Sequence, residues 1–453
     1  MTATTPKDAA TEVVRVLRAN GHQAYFVGGC VRDLLLGREP ADYDVATDAV
    51  PDRVMEIFPR TFAVGVQFGV VLVAFDHSDA SKADSIQKEI CIEVATFRAD
   101  VSYSDGRHPD AVRFSQTPQE DVERRDFTIN GMLLDPESNE VLDYVGGRRD
   151  LDAHIIRTIG EPQRRFTEDK LRMLRAVRFA ARFGYEIEPA TFAAIRALAP
   201  QIKQVSNERI RDEILKMLTE GHARRAFELL DETGLLVQVL PEIAGMKGVE
   251  QPPQFHPEGD VWTHTLMMLE DLPAGCSHTL ALGVLLHDVG KPPTFERAPD
   301  RIRFSGHAEI GTAMAGQICR RMRLSNDKTE QVMALVANHM RFADVMRMKE
   351  STLKRFLRLP HFDEHLDLHY LDCSNSHGNL QLYEYAKDKY EQTPEEEVRP
   401  APFVTGRELI AAGFKPGPQF KEMLAFAEDA QLEGRVHSTE EALQIVREHF
   451  QPA

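Results

Sequence analysis

The 453-residue sequence predicts an α+β protein, with a mixed α/β region at its N-terminal end and an all-α remainder. Three observations carry that prediction. Strand-like runs such as GVVLVAF and IQKEICIEVATF occur only before about residue 150. Beyond it, apolar residues recur at helical spacing, as Leu171, Leu174 and Val177 do. A Pro- and Gly-dense break, GVEQPPQFHPEGD, and a Pro- and Glu-rich one, EQTPEEEVRPAP, then divide the helical part. The chain is too long for one hydrophobic core, and these shifts divide it at 1–150, 151–250, 251–392 and 393–453.

In chain order, MTATTPKDAATEVVRVLRANG reads as an amphipathic helix ending at Gly21, without the apolar core of a signal peptide. Ala24 to Asp48 reads as a short strand, a Gly-Gly turn, a helix and a second strand carrying Asp42 and Asp44. PDRVMEIF is a helix with Pro51 in its first turn, and DHSDASKADS a hairpin loop between the two strands that follow. FTEDKLRMLRAVRFAARFGY, NERIRDEILKMLTEG and ARRAFELLDETGLL then read as helices, and the helical pattern resumes at VWTHTLMMLEDL.

The formal net charge of -17 argues against a protein that coats nucleic acid everywhere. It leaves room for a local basic groove. Between Arg148 and Arg225 seventeen Lys and Arg stand against eleven Asp and Glu, with Arg175, Arg178 and Arg182 on one predicted helix. The five cysteines have no Cys-x-x-Cys spacing, so a zinc ribbon or disulfide framework is not indicated, and a reducing cytosol is the expected home. No segment has the roughly 18 apolar residues that a membrane span needs.

The chemistry begins at the second predicted strand. Alternate residues of a strand share a face, so Asp42 and Asp44 point two carboxylates the same way, a geometry suited to divalent cations. Gly28 and Gly29, at a helix start, let backbone amides approach a phosphate. Either feature alone is equally a turn or a solvated face; in this order and this close, they point to phosphoryl or nucleotidyl transfer. Glu93, opposite in facing to Ile92 and Val94, is the candidate third acid, with a solvent-facing Glu the even alternative. Arg32, followed by Asp33, stands where a guanidinium would meet a triphosphate.

The stretches GGCVRD, ADYDVATD, YSDGRHPDAVRF, ERRDFTINGM and FTEDKLRMLRAVRFAARFGY, in that order, resemble the class II tRNA nucleotidyltransferase and bacterial poly(A) polymerase family over roughly residues 24–240. The resemblance implies a nucleotidyltransferase head on a helical neck and body, with Mg2+ held by Asp42 and Asp44. It assigns Arg125, Asp126 and Asn130 to the ribose and the orientation of the nucleotide, and Glu168, Asp169 and Arg172 to the incoming base. Residue types support the last assignment: a carboxylate accepts from the exocyclic amine of C or A, and a guanidinium donates to ring nitrogen or carbonyl oxygen. Asp169 and Arg172, three apart, are expected as neighbours on one helix face, and Arg175 and Arg178 continue the nucleotide-binding and RNA-facing set.

CCA addition to tRNA from CTP and ATP is favoured over poly(A) addition because FPRTFAVGVQFGVVLVAF lacks an Arg-rich segment and RADVSYSDGRHPD resembles a flexible loop of enzymes that complete the terminal A. Addition of CC alone or A alone stays open, and Gly131, where the family often has Ala, does not decide it.

Downstream, VWTHTLMM, LLHDVGK, SGHAEIG, ANHM and LDCSNS resemble the HD phosphohydrolase superfamily. By that resemblance, His264, His287, Asp288 and Asp372 hold a divalent transition metal or Mg2+, His307 and His339 a second ion, and Lys291 a phosphate. The resemblance extends to tRNA nucleotidyltransferases that carry such a module, with phosphatase or cyclic phosphodiesterase activity. The rival readings are a module that has lost activity and a chain that is mainly an HD hydrolase with an RNA-gripping head.

Overall fold

The computed structural model describes residues 2–65, 68–77, 89–100, 112–254 and 259–450. They fall into two compact units, Met1–Pro241 and Glu242–Ala453.

In the first unit, helix α1 (Pro6–Ala19) starts with Thr5 Oγ1 accepting from the Asp8 amide at 3.1 Å and with Pro6 in its first turn, where a missing N–H costs nothing. The chain leaves the helix at Gly21, φ +85°. Ala9, Ala10, Val13, Val14 and Leu17 form its buried face against the sheet. Each Val or Leu so buried contributes roughly 1.5–3 kcal/mol.

The eight-stranded sheet has as its main strands β1 (Ala24–Val27), β2 (Asp44–Thr47), β3 (Val70–His77), β4 (Ile90–Thr96), β5 (Met132–Leu134) and β6 (Val141–Asp143). Their order is β3-β4-β2-β1-β5-β6, with Thr2–Ala3 and Thr61–Phe62 both paired to β3. The sheet is mixed: β2 runs parallel to β4 and antiparallel to β1, whereas β5 is antiparallel to β1 and β6. Strand β4 alternates as expected, with Ile90, Ile92 and Val94 buried and Cys91 and Glu93 exposed. The parallel register sets Asp44 opposite Glu93.

The predicted single helix over FTEDKLRMLRAVRFAARFGY is two helices, α5 (Pro162–Glu168) and α6 (Leu171–Phe183), where α4 is the earlier Pro118–Glu123. Asp169 breaks it: the residue is extended (φ -143°, ψ 107°), and its Oδ1 accepts from the Leu171 amide at 3.1 Å. An Asp side chain competes in this way with the helical bond it replaces. Helix α6 then buries Leu171, Leu174 and Val177 and packs on α7 (Asn207–Thr219) and α8 (Ala223–Glu232). Strands do persist beyond residue 150, as two-residue ladders pairing Ile155–Ile156 with Glu186–Ile187 and Glu296–Arg297 with Ile302–Arg303.

The second unit is helical. Helices α9 (Val261–Glu270), α10 (His278–Leu286), α11 (His307–Arg321), α12 (Asn326–Asn338) and α13 (Phe362–Ser374) form its first part. The run from Leu280 to Leu286 is apolar on every face, and α10 is accordingly buried among α9, α12 and α13. The Pro- and Gly-rich stretch read as a linker lies inside this unit: Glu250 bridges Asp260, and the Gln251 amide donates to Gly259 O at 3.2 Å. Near the C-terminus, Val404, Leu409, Met423 and Val446 make a separate small core. There α14 (Gln419–Leu432) is tied by Glu428 to Arg355 and Arg358. No helix among the described residues is long and apolar enough to cross a membrane.

Candidate active site

The first unit carries a cavity of about 480 Å³ floored by the Gly28–Gly29 turn. Gly28 has φ +80°, a conformation L side chains rarely adopt, and a Cβ there would lie 3.3 Å from Arg125 Nη1. Helix α2 (Gly29–Leu35) is only seven residues long, so this turn offers amides with little macrodipole behind them.

Asp44 opens β2 and lines the cavity; Asp42 lies two residues before the strand, exposed rather than within it. Burial, then the negative charge of Glu93, pushes the Asp44 carboxyl up to about 6, with Asp42 adding to this and Arg125 opposing it. Glu93 joins Asp44, Arg124 and Arg125 around an adjoining space of about 220 Å³. A partly desolvated carboxylate facing two more is a donor set suited to Mg2+, which favours the charged form that burial disfavours. The three do not converge as closely as the histidine sets of the second unit, whose ligand atoms lie within 4.8 Å of one another.

Behind the turn runs a chain of polar contacts. Arg32 donates to Asp33 and, at 2.6 Å, to Asn130 Oδ1; Asn130 Nδ2 donates to Asp126 Oδ1; and Arg175 Nε donates to Asp126 Oδ2 at 2.8 Å. Arg32 is buried, with its guanidinium 4.6 Å from the Phe183 ring centroid. Burial would raise the Asp126 carboxyl, but Arg175 and the hydrogen bonds outweigh it and bring it down to about 2.

Two residues that the sequence reading passed over anchor the other wall. Asp121, on α4 and fully buried, accepts from Arg124 at 2.7 Å and from Arg125 at 3.0 Å. Its offsets of three and four from these arginines are the helical pairing signal that would have found it. Arg209 of α7 is the second, donating to both Asp169 oxygens at 3.2 and 2.8 Å. Nothing local in the sequence marks it.

The expected Asp169–Arg172 pair on one helix face is therefore corrected. Because the helix breaks at Asp169, that carboxylate turns to Arg209, while Arg172 donates to Glu168 Oε2 at 3.0 Å. Asp169, Arg172 and Arg175 still line the same cavity. Arg178 does not. It is buried against Glu213 at 2.7 Å, so it and half-buried Arg175 are fixed by carboxylates rather than forming the open basic face expected of them. Arg182 also turns to Glu220, at 3.3 Å. Residues 101–111, most of the stretch read as a flexible loop, and the hairpin tip at 78–88 lie outside the described residues.

In the second unit, two sets of side chains converge: His264, His287 and Asp372, and Asp288, His307 and His339. His287, His307 and His339 each direct Nδ1 at a backbone carbonyl, Val284 O, Phe304 O and Val336 O, at 2.7 to 2.9 Å. A carbonyl only accepts, so Nδ1 carries the proton and Nε2 presents a lone pair inward. The Nε2 atoms of His307 and His339 face each other at 3.3 Å. Two lone pairs so placed are suited to a shared cation. Burial lowers His307 and takes His339 down to about 4, keeping both neutral as ligands must be. Asp288 lies with Oδ2 3.1 Å from His287 Nε2 and in ion-pair contact with Lys291 Nζ at 2.6 Å; its carboxyl is held well below the usual carboxylate range although burial opposes this. Gly290 allows the approach, since a Cβ there would lie 2.1 Å from His307 O. A cavity of about 440 Å³, walled by Phe304, Met340 and Ala343, opens onto Asp288, Lys291, His307, His339 and Asp372.

Family models match three stretches: the poly(A) polymerase head domain over residues 24–157, an RNA- and SrmB-binding segment of polymerase A over 184–246, and a second domain of tRNA nucleotidyltransferase over 303–446. Among curated proteins, the chain is 44% identical over 240 residues to a CCA-adding enzyme of Geobacillus stearothermophilus, covering 53% of this chain and 56% of that one. It is 40% identical over 271 residues to one of Bacillus licheniformis, covering 58% and 65%. The chain thus spans little more than half the length of the curated relatives it matches. Among solved structures, a Bacillus stearothermophilus CCA-adding enzyme in complex with CTP superposes with a TM-score of 0.73 at 27% identity, covering 99% of both chains. A Thermotoga maritima CCA-adding enzyme complexed with tRNA shares the fold, with a TM-score of 0.57 at 19% identity.

Proposed function

We propose that this chain adds CCA to tRNA 3′ ends without a nucleic-acid template, using CTP and ATP. The observation that carries the reading is the meeting, around one 480 Å³ cavity, of the Gly28–Gly29 turn, Asp44, the Arg125–Asp126–Asn130 segment and the pair Asp169 and Arg172. Similarity along 99% of a CCA-adding enzyme solved with CTP supports it.

In this reading the four sequence segments are a catalytic head (1–150), a nucleotide-reading neck (151–250), a metal-binding module (251–392) and a tail (393–453). Asp42, Asp44 and Glu93 would hold Mg2+, which lowers the pKa of the attacking 3′-hydroxyl and neutralises charge on the α-phosphate. Arg125, held by Asp121, stands beside Asp44 and the glycine turn, where with Asp126 and Asn130 it would contact the ribose and orient the nucleotide. Asp169 accepts from the amine of C or A and Arg172 donates to the same base, while Glu168 and Arg209 fix the two side chains. Five free thiols suit a reducing cytosol. Incubation with tRNA lacking CCA and each labelled nucleotide tests the reading: long A tails on generic RNA would favour poly(A) addition, and C alone or A alone a partial enzyme.

For the second unit we infer a metal-dependent phosphohydrolase of the HD type, on the two converging ligand sets and their inward Nε2 lone pairs. His264, His287 and Asp372 would hold one divalent ion and Asp288, His307 and His339 another, to polarise a phosphoryl oxygen and activate water. Lys291 would meet the substrate phosphate. Release of phosphate from 3′-phosphorylated RNA ends, or opening of a 2′,3′-cyclic phosphate to a monoester, assayed with and without added divalent metal, tests it. Hydrolysis without any transfer would favour the rival in which the head only grips RNA.

A further inference from the structure

We propose that Gln251 is a positioning residue of the second unit: its side-chain carbonyl holds the Lys291 ammonium toward the cavity, where it receives a substrate phosphate. The inference rests on the reading of this unit as a metal-dependent phosphohydrolase. It draws into the site a Pro- and Gly-rich stretch that reads in the sequence as a linker.

Gln251 is 3% exposed, and its backbone is fixed. The Gln251 amide donates to Gly259 O at 3.2 Å, and the Val261 amide donates to Val249 O at 3.0 Å. Asp260 ties the same stretch to α9: Oδ2 accepts from the Gly248 amide at 2.6 Å, while Oδ1 caps the helix by accepting from the Thr263 amide at 2.7 Å. The stretch is thus bound to the first turn of the helix that carries His264. From there the Gln251 side chain crosses to HDVGK, where Oε1 accepts from Lys291 Nζ at 2.6 Å.

An ammonium only donates, so the amide stands one way round: Oε1 faces Nζ, and Nε2 is left buried without a hydrogen-bond partner. An unpaired buried N–H disfavours the fold. A glutamine kept for stability would be poorly placed here, whereas one that aims a cation is well placed. Lys291 needs aiming. Its stem is flexible and its charge is a point, and Asp288 Oδ2, at 2.6 Å and without an aligned hydrogen bond, attracts the ammonium without directing it. Gln251 supplies the directional contact. With two N–H groups facing Oε1 and Oδ2, the third is left for the cavity that Lys291 lines together with Phe304, whose ring centroid is 5.4 Å from Nζ. A phosphate oxygen is the acceptor that suits a cation so placed.

The test compares the full chain as wild type, Q251M, K291M and the double variant. Three quantities are read: steady-state kinetics on a 3′-phosphorylated oligoribonucleotide at saturating Mn2+ or Mg2+, calorimetric titration with inorganic phosphate under the same conditions, and the melting temperature of the metal-free protein. Q251M is expected to raise KM and weaken phosphate binding about tenfold, the order of one hydrogen bond to a charged group, with kcat unchanged because the phosphate charge is met before and during reaction. K291M is expected to lose at least as much, and the double variant no more than K291M, because Gln251 acts through the ammonium. The melting temperature of Q251M is expected not to fall, since Met fills the site and removes the unpaired N–H. Wild-type KM and phosphate affinity in Q251M overturn the proposal and leave the phosphohydrolase reading standing. Losses that add in the double variant, or a lower kcat with KM unchanged, overturn it too. A Q251M that melts lower or does not fold also overturns it, the amide then being structural. A wild type that neither binds phosphate nor hydrolyses the RNA end overturns the phosphohydrolase reading together with the proposal.

Discussion

Glu168 Oε2 accepts from Arg172 Nη1 at 3.0 Å and from Arg165 Nη1 at 2.7 Å, so one carboxylate oxygen organises two guanidiniums at the edge of the cavity that Arg172 lines. Arg165 in turn donates to the Glu123 carbonyl at 2.7 Å, which ties the α5–α6 break to the end of α4. Replacing Glu168 with Ala removes the carboxylate partner of Arg172 and leaves it the Arg165 and Arg124 carbonyls, at 3.1 and 3.3 Å. A lost charge-assisted hydrogen bond is worth about 1.5–3 kcal/mol, and kcat/KM for CTP and ATP should fall about tenfold to a hundredfold while KM for tRNA is unchanged. An unchanged kcat/KM would mean that the two backbone carbonyls orient Arg172 without the carboxylate.

Asp44 links function to stability. Burial and the charge of Glu93 push its carboxyl up to about 6, above the ordinary aspartate range. A raised carboxylate pKa means that the ionised form is disfavoured in the fold, so the metal-free protein loses stability as pH rises from about 4 through 6, on the order of 2–3 kcal/mol in all. Asp44→Asn should therefore raise the melting temperature in EDTA at pH 7.5, with the gain vanishing near pH 4. Excess Mg2+ should narrow the difference by stabilising wild type alone. A variant no more stable than wild type at pH 7.5 would contradict the burial argument.

Gly131 is packed tightly. A Cβ there would lie 2.8 Å from Ile159 Cδ1 and 2.9 Å from Val145 Cγ2, although its backbone is ordinary (φ -100°). The absence of a side chain at Gly131 is thus matched by the packing of Ile159 and Val145 around it. Gly131→Ala should cost about 1–3 kcal/mol by overpacking, read as a lower midpoint of denaturant unfolding, and Gly131→Ala with Ile159→Val should recover part of it. No loss in the single variant would show that the two side chains retreat freely.

His339 and His287 should matter to one activity only. Ala at either position removes an inward Nε2 donor from one of the two ligand sets, and phosphate release from RNA ends should drop at least about a hundredfold, as befits a lost metal ligand. Nucleotide addition should be unaffected. A parallel loss of addition would mean that the second unit serves the first.

Much of this was legible in the sequence because it is local. The Gly-Gly turn, the period-2 strand around Glu93 and the apolar run before His287 each state their geometry within a few residues. Six metal-ligand candidates in the second unit fall into two converging sets, and the tight approach of HDVGK to the start of α11 is one that Gly290 permits. What misled was charge. Arg175, Arg178 and Arg182 look like a basic surface until the carboxylates of Asp126, Glu213 and Glu220, distant in sequence, are found against them. Asp169 misled for another reason: helical spacing assumed a continuous helix, and an Asp that caps its own break voids it. Arg209 had no local signal, since only the packing of α7 on α6 brings it to Asp169.

The measurement that bears most directly on the account is incorporation of labelled CTP and ATP into tRNA lacking CCA, by wild type and by Asp42→Ala with Asp44→Ala. The account predicts that wild type adds C and then A in the presence of Mg2+, with UTP and GTP excluded. It also predicts that the double variant, folded by circular dichroism, adds neither. Incorporation of neither nucleotide by wild type, or transfer surviving in the double variant, would contradict it.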